Sequence, residues 1–255
     1  MNTKLNYWLT ITIMSAAILL IAAKPAASSA QDIKIITPGE AKNMTGMTYG
    51  EWSAAWWQYV LSMPVSDPNN PLLDLTGAGC KAAQPNGSPV FFLVGSWGSG
   101  EVIRDECIVP AGKVLFFPLV NAFNAHSSGD GLDTPELLRD NMLTWFSPEE
   151  FYVSINGVEV QSFSACAGGD PACTSTAFSL RLTGNNLFTG SPARIGRKGA
   201  PWLSAGIYAP AVADGYYLML APLSPGVHTI SFGGYSCQEK NDSCKQDITY
   251  NLIVK

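Results

Sequence analysis

Charge is scarce in this chain. Only 14% of its 255 residues are Asp, Glu, Lys or Arg, and the formal net charge is −5. No basic block breaks this pattern, so a phosphate backbone would meet repulsion and nucleic acid is not an expected partner. Histidine is scarcer still, with His126 and His228 the only two. H-E-x-x-H, a Walker loop and the twelve-residue EF-hand order are missing, which removes the common sequence signals for zincin, nucleotide-phosphate and calcium chemistry. Gly95-Ser96-Trp97-Gly98-Ser99-Gly100 imitates a nucleophile elbow. Neither serine has glycines at both G-x-S-x-G offsets, so it reads as a flexible hairpin tip. No cofactor and no metal site is predicted. Beyond residue 30 no apolar run is long enough to span a bilayer, and the mature form is not expected to be membrane-embedded.

What is present begins with residues 1–30. Lys4 gives a weakly positive start, Leu5 to Ala23 is almost free of charge, and Ser28-Ser29-Ala30 supplies small residues. This reads as an export signal cleaved before Gln31. The competing reading is an uncleaved anchor, since the apolar stretch nearly matches a bilayer's thickness. A secreted or periplasmic protein of residues 31–255 follows, read as a single domain. Losing Lys4 and Lys24 leaves 13 basic against 20 acidic residues, a net charge of −7.

All six cysteines, Cys80, Cys107, Cys166, Cys173, Cys237 and Cys244, lie beyond the leader. In an oxidising compartment an even count reads as disulfides. Spacing favours Cys166–Cys173 and Cys237–Cys244 across short polar turns, leaving Cys80 to pair with Cys107. The chain-entropy model gives each short bridge about 2.5 kcal/mol and the longer one about 3.5 kcal/mol. A metal site is the weaker reading, because zinc ligands usually sit closer together.

Along residues 31–255, Tyr49, Trp52, Trp56 and Val60 recur at helical spacing, Trp57 and Leu61 widen the stripe, and Pro64 ends it. Strand patterns follow at 90–95, 101–109 and 113–120, then a polar loop over 121–133. Thr134-Pro135-Glu136 reads as a helix start, with Leu137, Leu138, Met142 and Trp145 on its buried face. Asn156-Gly157 suits a tight hairpin turn. Strands are predicted at 177–183, 215–222 and 227–233, while 185–208 reads as a solvated loop. Ile248, Tyr250, Leu252 and Val254 alternate with polar residues in a last, half-buried strand. The predicted fold is mainly β: an antiparallel β-sandwich, jelly-roll or Ig-like, with an N-terminal amphipathic helix and one inserted helix.

Tyr49-Gly-Glu-Trp-Ser-Ala-Ala-Trp-Trp-Gln-Tyr, Asn70-Pro71, Asp74-Leu-Thr-Gly77, Cys80 with Gln84, Val90-Phe-Phe-Leu, the segment from Cys107 to Asn121, and Leu223-Ser-Pro-Gly-Val-His-Thr-Ile-Ser-Phe-Gly together resemble a group of exported bacterial proteins of unassigned function. The resemblance covers most of residues 31–255. It implies export and a bacterial source and carries over no activity, ligand or catalytic residue.

The residues bearing chemistry are few. His228 alternates with Ile230 and Phe232, which makes it a core histidine. His126, near Asp130 and Asp133, is the one place where imidazole and carboxylates cluster in sequence, and imidazole can act there as base or ligand. Glu51, Glu101, Glu106, Glu136, Glu149 and Glu150 offer carboxylates for a glycosidase, but nothing selects a pair. Trp52 and Trp56 belong to the core, whereas Trp97 and Trp202 lack a packing role in the pattern. The expectation is therefore a secreted protein that binds a small molecule, glycan or protein without catalysis, through Trp97, Trp202, Asn121 and His126. The alternative is an extracellular hydrolase acting on polysaccharide or ester substrates through the 121–133 loop.

Overall fold

Thr48 starts the largest helix by accepting a hydrogen bond from the Glu51 N–H while the Glu51 carboxylate caps Thr48 in return, a reciprocal box that satisfies two end groups. The computed structural model describes residues 33–97, 100–160, 174–189, 203–236 and 244–255. Contacts divide the chain into Met1–Asp32 and Ile33–Lys255, and only the second unit is described. The leader, Cys166, Cys173, Cys237, Trp202 and most of the 185–208 loop lie outside the described residues. The elements are α1 (Pro38–Thr45), α2 (Tyr49–Leu61), β1 (Val90–Phe92), β2 (Glu101–Arg104), β3 (Ile108–Val109), β4 (Val114–Ala125), α3 (Pro135–Leu143), β5 (Glu149–Ile155), β6 (Val158–Glu159), β7 (Phe178–Leu182), β8 (Gly206–Leu220), β9 (Gly226–Tyr235) and β10 (Lys245–Val254).

The protein is mainly β, with two sheets. One is four-stranded in the order β1-β4-β8-β7; the other is six-stranded, β2-β10-β9-β5-β6 with β3 also on β10. The sheets are mixed rather than purely antiparallel, because β1 runs parallel to β4 and both β2 and β3 run parallel to β10. β1 and β2 belong to different sheets, so they do not form the hairpin that the glycines between them suggested.

β4 reads Val-Leu-Phe-Phe-Pro-Leu-Val at its start, and all seven residues are buried. Its two faces meet different partners, which explains a continuous apolar run instead of alternation. Val114 and Phe116 pack with Val90, Phe92, Tyr217, Met219 and the α2 residues Tyr49, Trp52 and Trp56. Leu115, Phe117 and Leu119 pack with Phe91, Leu218 and the second sheet's Ile230, Phe232, Ile248, Tyr250 and Leu252. The order across the body is therefore helix, first sheet, second sheet.

Several expectations shift. Asn121 sits on β4, which runs on to Ala125, rather than in a loop. β8 starts at Gly206, inside the stretch read as loop. α1 was not anticipated, although Thr37-x-x-Glu40 carries the same capping box as α2. α3 starts at Thr134-Pro135 as expected, and buries Leu138 and Met142 while Leu137 is 45% exposed. The Asn156-Gly157 turn forms with both residues at positive φ, 53° and 78°, the requirement of a type I′ hairpin. Cys80 and Cys107 are bonded, their Cα atoms 5.6 Å apart. Cys244 is also disulfide-bonded, its partner outside the described residues.

Arg104 is the one arginine sealed in the described core, at 1% exposure. Its Nε donates to the Asp74 carbonyl at 2.8 Å. Nη1 donates to Val94 O at 2.8 Å and Tyr250 Oη at 2.9 Å, and Nη2 to Pro71 O at 3.2 Å and Gly95 O at 2.8 Å. All five N–H groups of the fork are thus used. Arg104→Leu leaves four carbonyls and a phenol buried without that donor. We expect a loss of at least about 3 kcal/mol, measured as a lower urea midpoint at unchanged slope. Arg104→Lys should recover only a minor part, since an ammonium cannot span the fork.

Tyrosine burial gives a second expectation. Tyr217 is pushed up to about 12, first by burial, and burial also raises Tyr49, Tyr59 and Tyr250 above the ordinary value of 10.0. A neutral acid held protonated in the fold contributes stability that is complete below its unfolded pKa and is lost as pH rises through the folded one. Stability should therefore hold to about pH 10 and fall between there and pH 12. Phenolate absorbance should appear together with unfolding; titration of these tyrosines in a protein still folded would contradict the buried network.

Candidate functional site

β4 pairs with β8 in register until Pro118, where the register shifts between Pro118 and Val120. Proline cannot donate to a ladder, and a bulge is where a strand tolerates it. The bulge and the adjoining Asn121 form one wall of a cavity of about 190 Å³. The opposite wall is the strap Gly95-Ser96-Trp97, with Trp56 and Trp57 of α2, Leu72, and Ser236, Cys244, Lys245 and Gln246 from the second sheet's end.

Each wall is fixed by named contacts. Gln246 accepts from Ser96 N–H at 3.0 Å and donates to Ser96 O at 3.1 Å, imitating one step of a β-ladder. Trp97 N–H donates to Leu72 O at 2.8 Å. Gly95 leaves the space that Gln246 occupies, since a Cβ there would meet Gln246 Oε1 at 2.3 Å and displace it. Asn121 donates one amide hydrogen to Tyr217 Oη at 3.1 Å, a hydroxyl that also accepts from Ser53 at 2.9 Å. Gly215 faces Asn121 across the ladder, where a Cβ would come within 2.6 Å of the asparagine Cβ.

The tryptophans differ in how they are satisfied. Trp52 and Trp56 donate to Thr45 Oγ1 at 2.8 Å and Leu93 O at 2.9 Å, as core residues should. The buried indole N–H groups of Trp57 and Trp97 have no hydrogen-bond partner. Trp57 packs on Phe123 with centroids 4.6 Å apart, and Trp97 meets Phe188 edge-on at 5.5 Å.

Of the four residues expected to bind a ligand, the structure brings Trp97 and Asn121 to this cavity. Trp202 is not described. His126 lies five residues beyond Asn121, about 17 Å along an extended strand, and does not line the cavity. Its Nδ1 is 3.2 Å from Leu132 O, 3.4 Å from Asp130 Oδ1 and 3.5 Å from Asp133 Oδ1. No hydroxyl or thiol among the described residues bonds to it. His228 is buried at 2% exposure. Thr229 N–H donates to Asn156 Oδ1, which turns the Asn156 amide nitrogen to His228 Nδ1 at 3.1 Å, and Nε2 donates to Ser224 O at 2.9 Å. That makes it a satisfied structural imidazole, as its alternation with Ile230 and Phe232 suggested. Glu51 is committed to the α2 cap, so it is no catalytic carboxylate. The bulge, Gln246 and Leu72 carried no sequence signal beyond Pro118 inside an apolar run.

No family model matches the chain, and no curated protein matches it. Among solved structures, a chain of "Structure of PbICP-C in complex with falcipain-2" aligns over 64% of this chain and 98% of its own, at 11% identity and a TM-score of 0.23. A likeness that weak supports no statement about fold or function. No helix among the described residues is long and apolar enough to cross a membrane.

Gly95→Ala should push Gln246 off Ser96 and cost about 1–3 kcal/mol, the worth of two hydrogen bonds. Gln246→Ala should cost a similar amount, and the double variant little more than either single one. A double-mutant cycle by chemical denaturation measures this, and full additivity would show that the two residues do not act through one contact.

Proposed function

We propose that this is an exported, disulfide-tied binding protein that holds a small ring-bearing ligand in the cavity between the 95–97 strap and the β4 bulge, without chemistry. The supporting fold reading is a mixed two-sheet sandwich with helical cover. The observation that carries the proposal is the make-up of the wall: three indoles, Trp56, Trp57 and Trp97, beside two side-chain amides, Asn121 and Gln246, around about 190 Å³. Apolar walls with few oriented polar groups are the usual form of a small-ligand site. The volume decides the ligand's size. A dry cavity of about 150 Å³ accepts benzene, so this one takes one ring, such as the terminal sugar of a glycan or a small aromatic, and not a drug-sized molecule. No Asp or Glu among the described residues lines the cavity, so the described wall offers no paired carboxyls for a glycosidase. The resemblance to exported bacterial proteins and the Cys80–Cys107 bridge support the compartment.

The test is a thermal-shift screen of the oxidised protein with monosaccharides, aromatic amino acids and small aromatic acids. At least one probe should raise Tm in a concentration-dependent way. Trp97→Ala should weaken that response at least tenfold while the protein still melts cooperatively. An equal response in the variant, or none from any probe, would remove the cavity from consideration.

A further inference from the structure

His126 stands at the end of β4 with its backbone N–H bonded to Pro210 O at 2.9 Å, so its position is set by the first sheet. The loop that follows returns three oxygens to one atom of its ring. Leu132 O, Asp130 Oδ1 and Asp133 Oδ1 lie 3.2, 3.4 and 3.5 Å from Nδ1. Imidazole carries at most one hydrogen on that nitrogen. One hydrogen cannot serve three acceptors, two of them carboxylates within 4.8 Å of each other. The arrangement is therefore more than an acidic cluster: an imidazole nitrogen, a neutral carbonyl and two carboxylates converge, and the carbonyl has no charge of its own to draw it there.

The spacing identifies what would fit between them. Zinc bonds of about 2.0–2.1 Å at tetrahedral angles set neighbouring ligand atoms about 3.3–3.4 Å apart. The distances from Nδ1 match that edge length. Larger oxygen-seeking ions such as calcium ask for six to eight ligands at longer range and do not favour an imidazole nitrogen. We propose that His126, Asp130, Asp133 and the Leu132 carbonyl form a zinc site. Two carboxylates and a neutral imidazole make the loaded site electrically neutral. Asp130 is held in place by the N–H groups of Ser127 at 2.7 Å and Leu132 at 2.8 Å, so its carboxylate is oriented before any metal arrives, as outer contacts do in metal sites. Asp133 immediately precedes Thr134, the N-cap of α3. The ion would tie the end of β4 to the start of that helix. With four protein ligands the site is closed, and its role is structural. It stands apart from the cavity and does not depend on the ligand-binding reading.

Among the described residues no free cysteine competes for the metal, and both ring nitrogens of His228 are occupied. The experiment uses the oxidised protein stripped with chelator and then titrated with zinc chloride. Zinc should bind at one equivalent per chain, and Tm should rise by about 3–5 °C for each tenfold excess over Kd. Cobalt in its place should give the intense visible absorption of a tetrahedral centre. His126→Gln and Asp133→Asn, both at accessible positions, should keep the metal-free Tm and weaken binding at least tenfold. No bound zinc, or zinc binding untouched by both variants, overturns the site. Preference for calcium or manganese over zinc overturns the assignment of the metal.

Discussion

A guanidinium buried among carbonyls organises this protein. Arg104 receives no carboxylate directly, yet all five of its N–H groups are matched. Moving a cation out of water costs several kcal/mol even after relaxation, and charge-assisted hydrogen bonds to dipoles offset it only when every donor is used. That condition fixes three otherwise independent pieces of chain. The 71–74 segment, the strap at 94–95 and Tyr250 of β10 must all be in place at once. Asp74, the nearby acid, points its carboxylate elsewhere. Burial would raise its pKa, and the N–H groups of Thr76, Gly77 and Gly79 more than reverse that. Its backbone carbonyl, not its charge, serves Arg104.

The cavity inherits its shape from this anchoring. Gly95 offers its carbonyl to Arg104 while its missing side chain admits Gln246. One glycine therefore connects the buried cation to the mouth of the site. On the far side the strap is answered by the β4 bulge, where Pro118 interrupts the ladder and the next residues line the wall. Neither wall is made of loop alone. Both are held by backbone contacts to strands or to Arg104, which is the condition for a site whose geometry persists without ligand.

The parts legible in the sequence were those set by local rules. The Trp-bearing helix, the Thr134-Pro135 start, the Asn156-Gly157 turn, the alternation of β10 and the Cys80–Cys107 pairing each follow from periodicity, capping, turn chemistry or spacing. Strand direction was not legible. Whether β1 and β2 form a hairpin or feed different sheets depends on contacts such as Val90 with Val114 and Ile248 with Val102, far apart in the chain. Arg104 escaped notice because a lone arginine in a short strand looks the same whether it faces water or a shell of carbonyls. Trp97 and Asn121 could be suspected singly from composition. Their meeting at one cavity required the bulge and the strap, which only the folded chain supplies.

The position of β10 has an effect in time as well as in space. It lies between β9 and the pair β2 and β3, so an interior strand of the second sheet is contributed by residues 245–254. Until those have been synthesised, β2 and β3 have no neighbour to zip onto, and Arg104 lacks the tyrosine it donates to. Pairings separated by so many residues close slowly. A chain of this sequence would thus complete its second sheet, and the shell around Arg104, only once its last strand has arrived.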